Sequence, residues 1–309
     1  MTARLLRTAL IVLALVAAGL GLLVARSWGT LAGLSVFVGA LVALPAVVPV
    51  LAYGLSAGQR HIEPQASTPS RILAAAAEEV LAFWLLFVVF QPFEDLWMGK
   101  EECLPWSPDA TPILLIPGYC CNRALWRSLR RKLRLAGRPV ATVTLDPPFA
   151  SIDRLAETLE RQINRLLADT GARQVVLAGH SMGGLVARAY LARRGGARVA
   201  ALVTLATPHH GSTLARLALG LNGREMEPDS DWLAALNAQG LTVPTHCFWS
   251  VGDEFVRPPE SARLPGVGET VLRLPGHFTL LRMAEVLHAL LQQGEAARAS
   301  GALRDEARA

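Results

Sequence analysis

The sequence predicts an α/β protein in which a mainly parallel sheet, with helices on both faces, follows two long apolar helices. Two observations support this fold class. From about residue 110 onward, short and continuous apolar runs alternate with amphipathic runs, the pattern of buried parallel strands linked by helices. Before that point lie two long stretches in which charged residues are almost absent. The chain therefore divides into an apolar N-terminal part and a sheet domain.

Composition bounds the class of protein. The chain has 309 residues, of which 52% are hydrophobic and 18% charged. A soluble enzyme is usually less apolar and closer to one quarter charged. Intrinsic disorder is excluded as the main state, because there is ample apolar surface to bury. Four cysteines in a chain of this length also exclude a disulfide-dense secreted domain.

The first two apolar stretches are predicted to be a transmembrane hairpin. No charged residue occurs at positions 8–25 or 27–59, and Arg26 separates the two runs. A helix needs about 20 apolar residues to cross a bilayer, so we expect helices over about 8–25 and 31–55. The alternative for the first run is a cleaved signal peptide, since Arg4 and Arg7 precede it. A second apolar run directly behind it favours the hairpin.

A third apolar stretch, residues 72–90, is ambiguous because it contains Glu78 and Glu79. Two carboxylates inside a membrane span would be costly. We therefore expect a helix that lies in the membrane interface or packs on the sheet domain. The positive-inside rule then places both ends of the hairpin, and the sheet domain, in the cytoplasm. A third crossing at 72–90 would place the domain on the opposite side.

The predicted elements of the sheet domain follow in chain order. A polar linker and the third apolar helix occupy 61–109, between an anchor at 1–60 and a catalytic domain at 110–294, and a flexible tail occupies 295–309. The predicted strands are 113–116, 139–145, 174–178, 199–205, 242–250 and 270–274. The predicted helices are 123–136, 152–167, 182–193 and 278–291.

A serine stands in a sequence pattern that predicts a nucleophile. The strand 174–178 runs into Gly-His-Ser-Met-Gly, centred on Ser181, and a helix follows. In a strand–turn–helix context, this G-x-S-x-G pattern places the serine on a strained turn above the sheet. Gly179 and Gly183 let the turn close, because they carry no side chain. The start of the following helix favours negative charge there.

A serine nucleophile needs a base and an acid that orients the base. Asp253 stands just beyond the predicted strand 242–250, and His277 follows the strand 270–274. Both therefore leave the carboxyl ends of strands, where open α/β sheets place their sites. We predict Ser181 as nucleophile, His277 as base and Asp253 as the carboxylate. The rival acid is Glu254, and the rival bases are His209, His210, His246 and His288.

The developing oxyanion also needs backbone donors. One predicted donor is the N–H of Met182, the residue after the nucleophile. The other is the N–H of Tyr119, in the loop 117–122 after the first strand. No metal-ligand spacing is present among the cysteines.

Residues from about 110 to 292 resemble the α/β-hydrolase superfamily, specifically its bacterial triacylglycerol lipase and esterase types. The matching pieces are GHSMGGLV at 179–186, ATPHHGS at 206–212, SVGD at 250–253 and Gly276–His277. The resemblance implies hydrolysis of carboxylic esters through an acyl-enzyme, without a cofactor. It does not cover the first ~100 residues, and the expected location in the bacterial inner membrane rests on the predicted hairpin. The chain departs from the pattern at Pro117–Gly118, where these lipases usually have His-Gly.

The resemblance also suggests a lid in the insert 211–240. Apolar residues there could line an acyl site or pack on the sheet, and both arrangements remain open. Two helices are expected within the insert, over 214–221 and 231–238. The candidate substrate-binding residues are His180, His209, His210, Leu214 and Trp232.

A basic stripe lies on the predicted helix 123–136, formed by Arg123, Arg127, Arg130 and Arg134 at helical spacing. We expect a solvated helix face, with anionic lipid headgroups as the alternative contact. Nucleic-acid binding is not expected, because no recognition motif accompanies the charge.

The sequence thus predicts a membrane-anchored serine hydrolase that acts on lipids or lipophilic esters. An acyltransferase or thioesterase would use the same triad and remains an alternative. A catalytically silent membrane scaffold with this fold is a second alternative, although all three triad residue types are present in the expected order.

Overall fold

The N-terminal part is a hairpin of two long helices. The computed structural model describes residues 1–56, 68–99 and 111–293. The helices are α1 (Thr2–Trp28) and α2 (Thr30–Ser56), with Gly29 between them at φ +88°. Each has 27 residues and so extends for about 40 Å. Both are long and apolar enough to cross a membrane, as is the helical stretch Pro69–Phe90.

The two helices of the hairpin approach closely at glycines. A Cβ atom on Gly21 would lie 2.8 Å from the carbonyl oxygen of Gly33. A Cβ atom on Gly33 would lie 2.5 Å from both the Gly21 carbonyl oxygen and the Ala25 Cβ atom. Small residues at this crossing let the two backbones come together, as they do in many membrane helix pairs.

The third apolar stretch packs against the sheet domain. It forms α3 (Pro69–Trp84), which continues as a π-helix (Leu85–Phe90) and is followed by the short α4 (Glu94–Met98). Glu79 of α3 is fully buried, whereas Glu78 is exposed. Ala82, Phe83 and Leu86 belong to the same buried cluster as the first strand of the sheet. Of the two arrangements expected for this stretch, the structure has the packed one.

The sheet has six strands, and every neighbouring pair is parallel. Their order across the sheet is β2-β1-β3-β4-β5-β6. The predicted fold class is therefore confirmed. The strands are β1 (Ile113–Ile116), β2 (Val140–Thr142), β3 (Val175–His180), β4 (Val199–Leu205), β5 (Thr245–Ser250) and β6 (Gly268–Leu272).

Helices cover both faces of the sheet, and the alternation along β1 shows how. Ile113 and Leu115 pack into one buried cluster. Residues of α3 and of the helix that follows the 3₁₀ turn Arg123–Trp126 belong to the same cluster. Leu114 and Ile116 pack into the other cluster. The helices of the domain are α5 (Arg127–Leu135), α6 (Ile152–Thr170), α7 (Met182–Arg194), α8 (Gly220–Glu225), α9 (Asp231–Asn237) and α10 (residues 284–293).

The basic stripe is only in part the solvated face that the sequence predicts, because Arg127 is exposed whereas Arg130 is buried. Arg123 donates to Asp95 at 3.1 Å, and the Arg127 guanidinium lies 5.0 Å from the ring centroid of Trp97. Arg130 is 7% exposed and donates to the last carbonyl of α4. The segment from the π-helix to α4 covers this side of α5, so these three cations hold it in place.

Two other expectations differ from the structure. The helix predicted over 278–291 is divided into a 3₁₀ turn (Thr279–Arg282) and α10, with Met283 extended between them. In the insert, a 3₁₀ turn (Thr213–Leu217) and α8 replace the single helix expected over 214–221. The central parts of the predicted linkers, at 57–67 and 100–110, and the predicted tail lie outside the described residues. The proposed domain boundaries remain predictions.

Candidate active site

Ser181 alone forms the turn between β3 and α7. Its φ of +54° and ψ of −127° lie in a region that non-glycine residues rarely adopt, at a cost of about 1–3 kcal/mol. Backbone hydrogen bonds hold the turn: the Ser181 N–H donates to Leu205 at 2.8 Å, and the Gly184 N–H donates to Ser181 at 3.0 Å. The side chain stands at the N-terminus of α7 and is half-buried.

Two glycines make room for this turn. A Cβ atom on Gly183 would collide with the carbonyl oxygens of Ile116 and Pro117 at the end of β1. A Cβ atom on Gly118 would lie 2.8 Å from the Ser181 Cβ atom. The loop after β1 therefore passes directly beside Ser181, and only glycine allows that approach.

His277 and Asp253 form a buried pair. The distance from His277 Nδ1 to Asp253 Oδ2 is 2.9 Å, and both side chains are almost inaccessible to solvent. They follow β6 and β5, so they lie at the carboxyl edge of the sheet together with Ser181. This Nδ1 contact leaves the other ring nitrogen of His277 free of the carboxylate.

The other oxygen of Asp253 is held by the backbone. Asp253 Oδ1 accepts from the N–H groups of Phe255 at 2.8 Å and Val256 at 2.9 Å. Burial raises the pKa of Asp253, but the facing imidazole and these hydrogen bonds outweigh it and hold that pKa below its ordinary value. The carboxylate is therefore ionised and fixed in orientation.

The rival acid, Glu254, contacts the backbone of His277. Its Oε2 atom accepts from the His277 N–H at 3.2 Å, whereas the imidazole hydrogen bond goes to Asp253. Burial raises the pKa of Glu254 well above its ordinary value, and the charges of Glu79 and Asp253 raise it further. Of the two neighbouring acids, only Asp253 is placed to orient the imidazole.

Glu79 of α3 is a residue of this site that sequence reasoning missed. Its two carboxylate oxygens accept from the N–H groups of Phe278 at 2.7 Å and Thr279 at 2.8 Å. These bonds join residues separated by about 200 positions in the chain. The sequence signal was a carboxylate within an apolar stretch, which was considered only as a cost in a membrane.

His180 contacts the backbone of the loop that carries His277. Its Nε2 atom lies 3.0 Å from the His277 carbonyl oxygen, so that nitrogen carries the proton. Burial, followed by the nearby His277, lowers the pKa of His180 to about 3. A neutral His180 therefore donates a hydrogen bond to the backbone of the loop that carries His277.

One cavity of about 420 Å³ contains both Ser181 and His277. Its lining is mostly apolar and comes from α2, α3, the π-helix, the insert and the loops around the two residues. Leu214 is the predicted substrate-binding residue that lines it. Further lining residues are Val48, Leu51, Ala52, Leu55, Phe83, Phe87, Tyr119, Cys120, Leu217, Met226 and Phe255.

The remaining predicted substrate-binding residues do not line this cavity. His209 is buried between Arg188 at 3.2 Å and Thr204 at 3.1 Å, and its pKa is lowered well below its ordinary value, first by burial. His210 is exposed, and Trp232 packs against the buried cluster under α7. Half of the insert therefore packs on the sheet domain, and only its first half reaches the cavity.

The two predicted oxyanion donors flank Ser181. Met182 is the first residue of α7, so its N–H has no carbonyl partner within the helix. Tyr119 lies in the glycine loop beside Ser181. Its hydroxyl donates to the Leu219 carbonyl at 2.9 Å and accepts from the Leu219 N–H at 2.8 Å. Tyr119 thereby fixes the loop to the insert.

Cys120 is the other potential nucleophile in the cavity lining. Burial raises the pKa of its thiol to about 11, so the thiol is protonated near neutral pH and is a poor nucleophile. Among residues 1–56, 68–99 and 111–293, no group of three or more His, Cys, Asp or Glu side chains is placed to hold a metal ion.

Comparison with known proteins identifies the fold. Residues 111–240 match a family model described as the alpha/beta hydrolase fold. The sheet domain has the α/β-hydrolase fold. Over 113 residues, the chain is 38% identical to triacylglycerol lipases of Pseudarthrobacter phenanthrenivorans and Burkholderia plantarii. These matches cover 34% of this chain, and 35% and 31% of the two relatives.

Solved structures agree with this α/β-hydrolase fold. The chain is similar to a Bacillus licheniformis lipase in its mature form, with a TM-score of 0.51 and 18% identity, covering 59% of this chain and 91% of that one. It is also similar to Aspergillus fumigatus lipase B, with a TM-score of 0.52 and 19% identity, covering 59% of this chain and 52% of that one.

We expect replacement of Glu79 to displace the loop that carries His277. In Glu79→Gln, the amide group turns a donor toward one of the two N–H groups at Phe278 and Thr279, leaving a buried donor unpaired at a cost of about 1–3 kcal/mol. The variant should have a lower Tm than wild type. Its kcat for ester hydrolysis should fall by a larger factor than its KM rises. The exposed neighbour substituted as Glu78→Gln is the matched control and should behave as wild type. Equal kcat and KM values in the two variants would show that Glu79 does not support the site.

Proposed function

We propose that this α/β-hydrolase protein is a membrane-anchored serine hydrolase that cleaves lipophilic carboxylic esters. One observation carries the proposal: a buried Asp253–His277 pair stands at an apolar cavity that also contains Ser181 on a strained turn. A carboxylate, an imidazole and a hydroxyl in this order are the parts of an acyl-transfer triad. Similarity to bacterial triacylglycerol lipases supports the choice of ester substrates.

The proposed reaction has two halves. His277 takes the proton from the Ser181 hydroxyl as its oxygen attacks the ester carbonyl carbon, and Asp253 stabilises the imidazolium. The N–H groups of Tyr119 and Met182 stabilise the oxyanion of the tetrahedral intermediate. His277 then protonates the departing alcohol, which leaves an acyl-enzyme. Water, deprotonated by His277, attacks the acyl-enzyme and releases the carboxylic acid and the regenerated serine.

The nature of the cavity supports lipophilic substrates. Its polar lining residues are Ser181, His277, Ser212 and the loop at Tyr119 and Cys120, while the rest of the lining is apolar. Its volume of about 420 Å³ lies within the usual range for small-molecule sites, about 300–1,000 Å³. The cavity therefore suits an ester whose reactive carbonyl is polar and whose remaining parts are hydrocarbon.

The proposed anchor is the hairpin α1–α2 in a bacterial inner membrane, with the sheet domain in the cytoplasm. Thr2 of α1 contacts Asp146 of the sheet domain, and the last turns of α2 reach the cavity, so both ends of the hairpin meet this domain. Arg4 and Arg7 lie at the same end, as the positive-inside rule requires for a cytoplasmic face. The packing of α3 on the domain argues against a third crossing.

Protease access in membrane vesicles tests this orientation. The sheet domain should be digested in inside-out vesicles and protected in right-side-out vesicles. The reverse pattern would place the domain in the periplasm.

Reaction with a fluorophosphonate tests the nucleophile. Wild-type protein in detergent should be labelled at Ser181, because the base activates its hydroxyl. Ser181→Ala should show no labelling and no hydrolysis of p-nitrophenyl butyrate, while its thermal unfolding stays that of wild type. Absence of labelling in folded wild-type protein would favour a catalytically silent protein. Labelling together with acyl transfer to an added alcohol in preference to water would favour an acyltransferase.

The two neighbouring acids should differ sharply. Asp253→Asn presents the wrong hydrogen-bonding group to the imidazole, and we expect kcat to fall on the order of 10³–10⁴-fold. Glu254→Gln is the matched control: its side-chain carbonyl still accepts from the His277 N–H, so kcat should stay within about tenfold of wild type. A larger loss in Glu254→Gln than in Asp253→Asn would exchange the two assignments.

A further inference from the structure

The membrane hairpin contributes one wall of the cavity that contains Ser181. The four residues involved are Val48, Leu51, Ala52 and Leu55, in the last two turns of α2. Their spacing of i, i+3, i+4 and i+7 places them on a single face of the helix. A continuous stripe of α2 therefore faces the candidate nucleophile.

This wall is also partly open to the surroundings. Val48 is 51% exposed, Leu51 58% and Leu55 62%, although all three line the cavity. Across the opening, Leu217 of the insert lines the cavity and is 73% exposed. The opening between α2 and the 3₁₀ turn Thr213–Leu217 thus has an apolar rim. Exposed apolar surface of this kind marks a site that meets lipid or a partner.

The composition of α2 indicates that lipid, and not a partner protein, covers this apolar rim. In the apolar stretch of α2, only 6% is buried within the protein. The length and composition of the helix are those of a membrane span. The outer face of such a helix contacts lipid acyl chains. The rim is formed by residues of this same helix, so it is continuous with a lipid-facing surface.

The hairpin is held in a fixed position relative to Ser181. At one end, the Thr2 hydroxyl donates to Asp146 at 2.7 Å in the loop after β2. Near the C-terminus of α2, the stripe of four residues lines the cavity together with Phe83 of α3, whose ring lies 4.3 Å from that of Phe87 and 6.2 Å from that of Phe255. The anchor and the site therefore form one packed unit at the carboxyl edge of the sheet.

We propose that the acyl chain of the substrate lies along the stripe Val48–Leu55 of α2 and that the substrate enters sideways from the bilayer, between α2 and the turn Thr213–Leu217. The substrate class is then a long-chain acyl ester dissolved in the membrane. This inference rests on the proposed ester hydrolysis and specifies its substrate and route of entry. The hairpin acts as part of the acyl-binding site as well as an anchor.

A substitution in the stripe tests the acyl site. Ala52 is 5% exposed, so in Ala52→Phe the added ring must occupy cavity space. The ratio of kcat/KM for p-nitrophenyl palmitate to that for p-nitrophenyl butyrate should fall by about tenfold or more, because steric loss of a hydrocarbon contact has this scale. Val50→Phe is the matched control, since Val50 is 55% exposed and does not line the cavity. Its ratio should equal that of wild type.

The outcomes separate the two proposals. A wild-type protein that hydrolyses neither ester and resists fluorophosphonate contradicts the proposed function itself. Active variants whose palmitate-to-butyrate ratios are equal, with Ala52→Phe and Val50→Phe both like wild type, overturn the acyl site on α2 and leave ester hydrolysis standing. Fluorophosphonate labelling of both variants shows whether Ser181 stays reactive, so a folding failure of Ala52→Phe is recognised. In that case Leu51→Trp provides the same comparison.

Reconstitution tests the route of entry. The full chain is placed in phosphatidylcholine vesicles that also contain a long-chain fluorogenic diacylglycerol ester, or is mixed with separate vesicles that contain the ester. Sideways entry predicts hydrolysis at least about tenfold faster when enzyme and ester share one bilayer. Equal rates in the two arrangements would show entry from water and would overturn the proposed route.

Discussion

The position of His277 depends on carboxylates that bind the backbone of its own loop. Glu254 accepts from the N–H of His277, and Glu79 accepts from the next two N–H groups along the chain. Buried N–H groups without acceptors would cost about 1–3 kcal/mol each, enough to shift a loop whose residues must stay within hydrogen-bond reach. Glu79 comes from α3, so the geometry of the site depends on a helix outside the region that matches the α/β-hydrolase model. The apolar N-terminal part and the sheet domain are thus structurally interdependent.

This dependence explains a feature of the sequence that looked unfavourable. A glutamate in the middle of an apolar helix is costly in lipid, and this cost predicts a helix that lies in the membrane interface or packs on the sheet domain. In the structure, the same carboxylate is surrounded by protein and accepts two backbone hydrogen bonds, which offset part of its desolvation. Its nearness to Glu254 helps to raise the pKa of that second carboxyl.

The sheet and the elbow could be predicted because their signals are local. Continuous apolar runs located β1 and β4 to the residue, and the spacing of glycines around Ser181 identified a turn that only small neighbours permit. Tertiary contacts were beyond such signals. Nothing near Arg127 in the sequence indicates that its guanidinium lies over the ring of Trp97, and His209 gives no sign that Arg188 and Thr204 surround it. The position of His209 next to a motif predicts a pocket residue, whereas in the structure its side chain is buried away from the cavity.

The location of the cavity follows from the same geometry. In α/β sheets, sites lie beyond the carboxyl ends of the strands, where the loops leave an open surface. Here the hairpin stands on that edge, with Thr2 against the loop after β2 and the end of α2 beside Ser181. An insert alone would have to cover the cavity of a soluble hydrolase. In this chain, the insert reaches only part of the cavity, and α2, a helix long and apolar enough to cross a membrane, supplies a further part of the wall together with α3 and the π-helix. A wall of that kind favours substrates that are already dissolved in the membrane, because they reach the site without crossing water.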